Sequence, residues 1–434
     1  MLLLAALVLC SGPALAAAPL TLGEVLDSSR RHAPQVLEAI ARARSASGRA
    51  LAAEGAFDTL FSVETKARTG GPYDGRFVDT TLSPLGEVKV GALFSLLRDR
   101  AIDERRFNRT NARLEVEVAE MERLMVAIGV QRRALAAYNA WVVSGMRLKI
   151  YQDLLDLARE RQAGFVRQVD LGSRPRILLT ESEQAILRRQ ILVTRAEQEL
   201  SNAATTLSFF LRSEDGSPLR PGPERLPGAL TAAAVDPAEA RINRSRPDLR
   251  LIDVRISQAS RRLELDRNSL LPRLDLRVEA SQDLGGSLPS GLSPRNTELT
   301  VGLRLGVPLQ QRTAAGRIAS SQAEIEAARR RRQALEDQIS IDLQRLSNDV
   351  QATADIQRLA EEERDRATTM AAAERRRFEI GASDFFLVNL REEAAADADV
   401  RRLEAAYRQI EARAELAAAA MDLPALGLDP GRRL

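Results

Sequence analysis

Among 434 residues there is one histidine, His32, and one cysteine, Cys10. A Ser-His-Asp or Cys-His centre would have to recruit His32. That residue sits in the helical run Ser29-Arg30-Arg31-His32, with no nucleophile signature beside it. A zinc site closed by Cys and His needs more ligands than these two supply, and no disulfide can form within the chain. The reading is a chain with no enzymatic activity and no cofactor or metal, in which His32 is a solvated or interface residue. The chain is 44% hydrophobic, 28% charged and only 4% aromatic, with Ala, Leu, Glu and Arg dominating long stretches. Such a composition favours long helices or coiled coil over a doubly wound α/β enzyme. Sixty-three Lys+Arg against 60 Asp+Glu, spread along the chain, leave a net charge of +3 and no nucleic-acid footprint.

The elements that fill this chain begin with an export signal. Leu2 to Cys10 is an apolar run, followed by Ser11-Gly12-Pro13 and Ala14-Leu15-Ala16. This is the pattern of a secretory signal peptide over residues 1–16, although a basic start is missing and points to a start codon upstream. Leu9 before Cys10 does not suit lipidation. The run is too short to span a bilayer, and no later stretch is long and apolar enough to do so.

An internal repeat organises the rest. Ala33-Pro34 and Arg246-Pro247 each lie near the start of a helical stretch, 213 residues apart. Phe57-Asp58-Thr59-Leu60 precedes Leu271-Pro272-Arg273-Leu274 by 214, Val90-Gly91 precedes Val301-Gly302 by 211, and Leu171-Gly172 precedes Ile380-Gly381 by 209. Four ordered landmarks at nearly constant spacing divide the chain into a first half at 17–212, a connector rich in Pro, Gly and Ala at 213–237, a second half at 238–422 and a tail at 423–434. Each half is expected to hold a helix of roughly 35 residues, two strands, a very long helix, a glycine break and a further helix. The long runs, Arg98–Gly172 and Gln310–Gly381, contain no proline and would each reach roughly 100 Å as helix.

Four segments alternate with period two. Phe57, Thr59, Phe61, Val63, Thr65 and Ala67 form the apolar set of the first, and Val88, Val90, Ala92, Phe94 and Leu96 that of the second. Leu274, Leu276, Val278 and Ala280 form the third, and Leu299, Val301, Leu303, Leu305 and Val307 the fourth. Their length and pattern suit outer-membrane barrel strands, one face toward lipid and the other toward water. The loops 68–86 and 282–297 between paired strands are rich in Gly, Pro, Ser and Asp. Four strands cannot close a barrel, open edges are not tolerated in lipid, and eight strands enclose only side chains. An open pore therefore needs at least three chains. On the helices alone, a periplasmic coiled-coil scaffold without a pore is the alternative.

Over the whole mature length the chain resembles the TolC-like outer membrane efflux protein family. The carrying features are the duplicated helix–strand–strand–helix–helix unit, Arg246-Pro247-Asp248-Leu249, Leu270-Leu271-Pro272-Arg273-Leu274, Val301-Gly302-Leu303 with Val307-Pro308-Leu309, and the breaks at Gly172 and Gly381. The resemblance implies a mainly α fold with a membrane β-barrel. A homotrimer would carry a twelve-stranded barrel in outer-membrane lipid, four strands per chain, on a long α-helical coiled-coil tunnel in the periplasm. It implies docking to a periplasmic adaptor served by an inner-membrane pump or ABC transporter, for efflux or type I secretion.

It also implies that the glycine turns form the periplasmic tips, with Leu171, Gly172, Ser173, Ile380, Gly381 and Ala382 touching the adaptor. Six and nine positions after the second glycine, where family members carry acidic residues, this chain has Leu387 and Leu390. An apolar or mixed-charge constriction from Arg174, Asp384, Leu387 and Leu390 is expected in place of an acidic ring.

Overall fold

A computed structural model of the chain describes residues 18–58, 87–231, 246–283 and 298–428. The expected signal segment, the expected first strand beyond Asp58, the whole of loop 68–86, most of loop 282–297 and parts of the connector and tail lie outside the described residues. Helices dominate: α1 (Leu22–His32), α2 (Pro34–Glu54), α3 (Glu104–Asp170), α4 (Ile177–Leu207), α5 (Pro247–Asn268), α6 (Arg312–Glu379) and α7 (Phe385–Ala420). Among the described residues three strands, β1 (Glu87–Ser95), β2 (Arg273–Asp283) and β3 (Glu298–Gly306), pair in the order β1-β2-β3. Two compact units divide the chain, each drawing on both halves. One takes residues 41–122 and 247–335, the other 1–40, 123–246 and 336–434.

The opening helix of the first half is split where roughly 35 unbroken residues were expected. Ala33 adopts an extended conformation (φ −65°, ψ 125°), as the residue before a proline prefers because the ring crowds its helical geometry. Thr21 and Glu24 form a capping box on α1, satisfying two of its orphan N–H groups. Pro247 starts α5, where its missing N–H costs nothing. The Asp103 carboxylate accepts from the Arg106 N–H at 2.7 Å at the start of α3, which then runs 67 residues with no proline to break it.

Phe57 is a second correction, because it does not enter a strand. It closes a 3-10 turn from Gly55, sealed by the Asp58 N–H on the Gly55 carbonyl at 3.1 Å. Its ring lies under the guanidinium groups of Arg109 and Arg105, at 4.6 and 5.5 Å. In the same unit Asp99 takes positive φ (68°) and exchanges hydrogen bonds with Asn268, fixing the chain between β1 and α3 against the end of α5.

The other unit holds the main core. Val25, Leu26, Val36, Leu135, Tyr138, Trp141, Val142, Leu200, Leu207 and Ile410 form one buried cluster there. Two of the polar side chains buried there, Gln131 and Tyr138, are paired, as low dielectric favours, whereas Trp141 Nε1 has no hydrogen-bond partner among the described residues. The Gln131 amide donates to the Leu26 carbonyl at 3.0 Å and accepts from Ser29 Oγ at 3.2 Å. The Tyr138 hydroxyl donates to the Leu20 carbonyl at 2.9 Å. Tyr138→Phe is expected to cost about 1 kcal/mol, because it strands a buried carbonyl without removing apolar volume. Thermal unfolding of the purified variant beside the parent checks this.

Candidate functional site

Two features stand out from the packed helices, a sheet with one uncovered apolar face and a pair of glycine turns. The sheet's register aligns its apolar residues across strands: Ala92 with Val278 and Val301, Phe94 with Leu276 and Leu303, Leu274 with Leu305. Side chains alternate faces in a strand, so these residues share one side. Leu299, Val301, Leu303 and Leu305 are all exposed there, Leu303 at 67%. Hydrocarbon laid out in a flat array, uncovered by any helix of its own unit, calls for an apolar neighbour.

The opposite face aligns Gly91 with Glu279 and Thr300, Leu93 with Arg277 and Gly302, and Ser95 with Asp275 and Arg304. Arg273 pairs with Asp275 at 2.7 Å and Arg277 with Glu279 at 3.0 Å, while Ser95 Oγ donates to Asp275 at 3.2 Å. Leu93, 60% exposed, is the apolar exception on this side. One face is thus built for an apolar medium and the other for water.

The two glycine turns are made alike. Gly172 and Gly381 have φ of +70° and +78°, a region open to glycine and costly to residues with a Cβ. In the first, Ser173 N–H reaches the Gln168 carbonyl at 2.9 Å and Gly172 N–H the Val169 carbonyl at 2.9 Å. In the second, Ala382 N–H reaches Arg377 at 2.7 Å and Gly381 N–H reaches Phe378 at 3.0 Å. Both are Schellman caps, which stop a long helix by satisfying its last carbonyls. Leu171, Gly172, Ser173, Ile380, Gly381 and Ala382 are exposed.

Of the constriction candidates, Asp384 and Arg174 are each engaged away from the other. The Asp384 carboxylate caps α7, accepting from the Leu387 N–H at 2.7 Å. The Arg174 guanidinium lies 5.7 Å from the centre of the Phe378 ring, in the last turn of α6. The first turn therefore sits beside the helix end that leads into the second. Leu390 is exposed and Leu387 half-buried on the first turns of α7.

A cluster that sequence reasoning missed lies behind these turns. Glu392 on α7, 2% exposed, is held by Arg161 of α3, Arg189 of α4 at 3.3 Å and Arg375 of α6 at 3.3 Å. Asn389, one turn earlier, accepts from Arg161 and Arg189, both at 3.2 Å. Burial pulls the Arg189 guanidinium below its ordinary value, against the attraction of Glu392. No local motif in the sequence marks these residues, since they come from four different helices. Among the described residues no group of His, Cys, Asp and Glu is placed to hold a metal ion, and no helix is long and apolar enough to cross a membrane.

Neither a protein-family model nor a curated protein sequence matches the chain. Solved structures do. The CmeC outer membrane channel of Campylobacter jejuni superposes with a TM-score of 0.72 at 11% identity, over 95% of this chain and 87% of that one. The MtrE outer membrane channel of Neisseria gonorrhoeae, in its open state, gives 0.71 at 14% identity over 94% and 89%. The outer-membrane channel OprN gives 0.70 at 17% identity over 92% and 89%. With agreement over roughly nine-tenths of each chain, this chain has the fold of the TolC-like outer membrane channels.

Proposed function

We propose that three copies of this chain assemble into an outer-membrane exit duct that passes solutes or proteins from a periplasm-spanning complex to the outside. The uncovered apolar face of the sheet carries this reading. In water that face would be an aggregation hazard, whereas against lipid it is the surface a barrel requires. Among the described residues β1 and β3 each leave an edge to be paired, and lipid tolerates none open. With the first strand of the repeat included, three copies close twelve strands.

Exposed apolar residues on the long helices support assembly. Ile356, Leu359 and Met370 recur along one stripe of α6, and Leu187 and Ile191 lie one turn apart on α4. Uncovered stripes of this kind belong between helices. The glycine turns, with their small side chains, suit close approach by a periplasmic adaptor, served in turn by an inner-membrane pump or ABC transporter that supplies the energy. Arg174, Asp384, Leu387 and Leu390 are the constriction candidates of this reading.

Purified chain reconstituted into planar bilayers is expected to give discrete single-channel steps, and crosslinking in outer-membrane extracts is expected to give trimers. A protein without conductance that remains in the periplasmic fraction would instead be a coiled-coil scaffold. Within the same recordings, Leu387→Ala with Leu390→Ala is expected to raise conductance severalfold, because an apolar constriction resists wetting. Unchanged conductance would place the constriction elsewhere and leave the turns to docking alone.

A further inference from the structure

At one end the sheet joins α3, α5 and α6. Past β1 the ladder to β2 continues for two more bonds. The Leu96 N–H donates to the Leu274 carbonyl at 2.8 Å, and the Arg98 N–H to the Pro272 carbonyl at 3.2 Å. Period two therefore carries the uncovered face from Phe94 through Leu96 to Arg98. On β3 the apolar column runs on through Val307 to Leu309, which is 95% exposed, and three residues later α6 opens on Arg312. The Gln311 amide donates to the Leu270 carbonyl at 3.4 Å, holding the start of α6 beside the entry to β2. Beyond both strands the hydrocarbon gives way to arginine.

These arginines are poorly matched from within the chain. Arg98 Nε lies 3.8 Å from the Asp99 carboxylate, which the Asn268 amide already holds at 2.8 Å. Arg100 and Arg312 are exposed, and among the described residues neither guanidinium has an ion pair or hydrogen bond. Arg105 and Arg106, also exposed, lie 3.8 and 3.7 Å from Asp103, whose carboxylate caps α3. Against these five arginines the same stretches carry Asp99, Asp103 and Glu104. The N-termini of α3 and α6 add positive potential at this end and the C-terminus of α5 subtracts from it. Each helix terminus is worth about half a charge, so the arginines set the sign.

We propose, on the membrane reading of the sheet, that this rim docks anionic phospholipid. Phosphates sit on Arg98, Arg100 and Arg312, and acyl chains run along Leu96, Val307 and Leu309. Lipid is the partner that fits because the rim is continuous with the apolar face. An acyl chain laid on that face brings its phosphate to the level where the hydrocarbon residues stop. There a guanidinium fork binds two phosphate oxygens at once. The aliphatic stems of the arginines cover hydrocarbon while their heads reach water. A zwitterionic headgroup brings its own cation to the rim, so a net anionic one is preferred.

The test uses the purified full chain inserted in phosphatidylcholine vesicles. Spin-labelled phosphatidylglycerol and spin-labelled phosphatidylcholine are the probes, and no free phosphate is present. The fraction of each label immobilised at the protein gives the relative affinity of the two headgroups. Phosphatidylglycerol is expected to bind at least about fivefold more tightly, the contribution of one arginine at a membrane surface. Arg98→Gln with Arg100→Gln and Arg312→Gln is expected to bring the ratio close to one. Arg331→Gln is the matched control, an exposed arginine about 28 Å further along α6 and beyond the reach of headgroup charge. It should leave the ratio unchanged.

Equal binding of both probes by the parent, or a preference kept by the triple variant, would overturn the inference. So would an equal loss in Arg331→Gln. If the arginines instead pair across chains, the parent shows no preference and the triple variant loses its trimer, which also overturns it. Should the triple variant fail to insert, Arg100→Gln and Arg312→Gln are measured singly, since neither side chain holds anything within the described residues. Each is expected to lower the ratio at least about twofold, and an unchanged ratio in both would overturn the inference. A parent that immobilises neither lipid would defeat the membrane reading itself, a distinct outcome.

Discussion

Replacing Gly381 by tryptophan is expected to abolish export while leaving trimer in the outer membrane at parental abundance. Gly381 holds φ at +78° and an added Cβ would meet nothing within 4 Å. The indole would therefore stand out from the turn without displacing packed atoms. Its conformational strain is about 1–2 kcal/mol, a local cost at the end of a helix that is capped by its own backbone. Sixty-eight helical residues of α6 separate the turn from β3, so strand pairing should not register the change. What is lost is close approach by a partner, because the neighbouring surface of Gly172, Ser173 and Ala382 is small. Gly381→Asn is the matched control, since asparagine tolerates this conformation and adds little bulk. Export is read as complementation of a strain lacking the chain, and trimer as a crosslinked band. A tryptophan variant that exports like the parent would show that this turn does not dock.

The second large effect is on the sheet. Val301→Arg or Leu303→Arg is expected to destabilise insertion by about 2–4 kcal/mol where the site lies near the bilayer midplane. Both positions are more than 60% exposed on the apolar side of β3, so the guanidinium would enter lipid. Thr300→Arg changes the adjacent position on the other side, paired with Glu279, and should be mild. Urea titration of vesicle-inserted protein gives the comparison. Equal sensitivity at Val301 and Thr300 would mean that both faces are buried in protein, and the membrane assignment would fall.

Period-two alternation made β2 and β3 legible to within two residues, because a strand with one apolar face must repeat that pattern wherever it lies. The two helix stops were equally plain, since Gly172 and Gly381 interrupt long proline-free runs and few other residues accept positive φ. Pro34 was visible too, but its consequence, a break between α1 and α2, came from the extended geometry it imposes on Ala33.

Phe57 shows the limit of pattern. Its alternation reads as strand, yet nearby glycine and a pair of arginines in space draw it into a turn under their guanidinium groups. Nothing in the sequence marks Asp384 as the cap of its own helix start or places Arg174 beside the Phe378 ring. Arg161, Arg189, Arg375 and Glu392 left no trace in the sequence. Each is an ordinary charge on a charged helix, and only the packing of four helices brings them to one buried point. Local periodicity and backbone chemistry are properties of neighbours in sequence, so they determine where elements begin and end. Which charges lose their water depends on residues as many as 231 positions apart, and only the tertiary fold decides that.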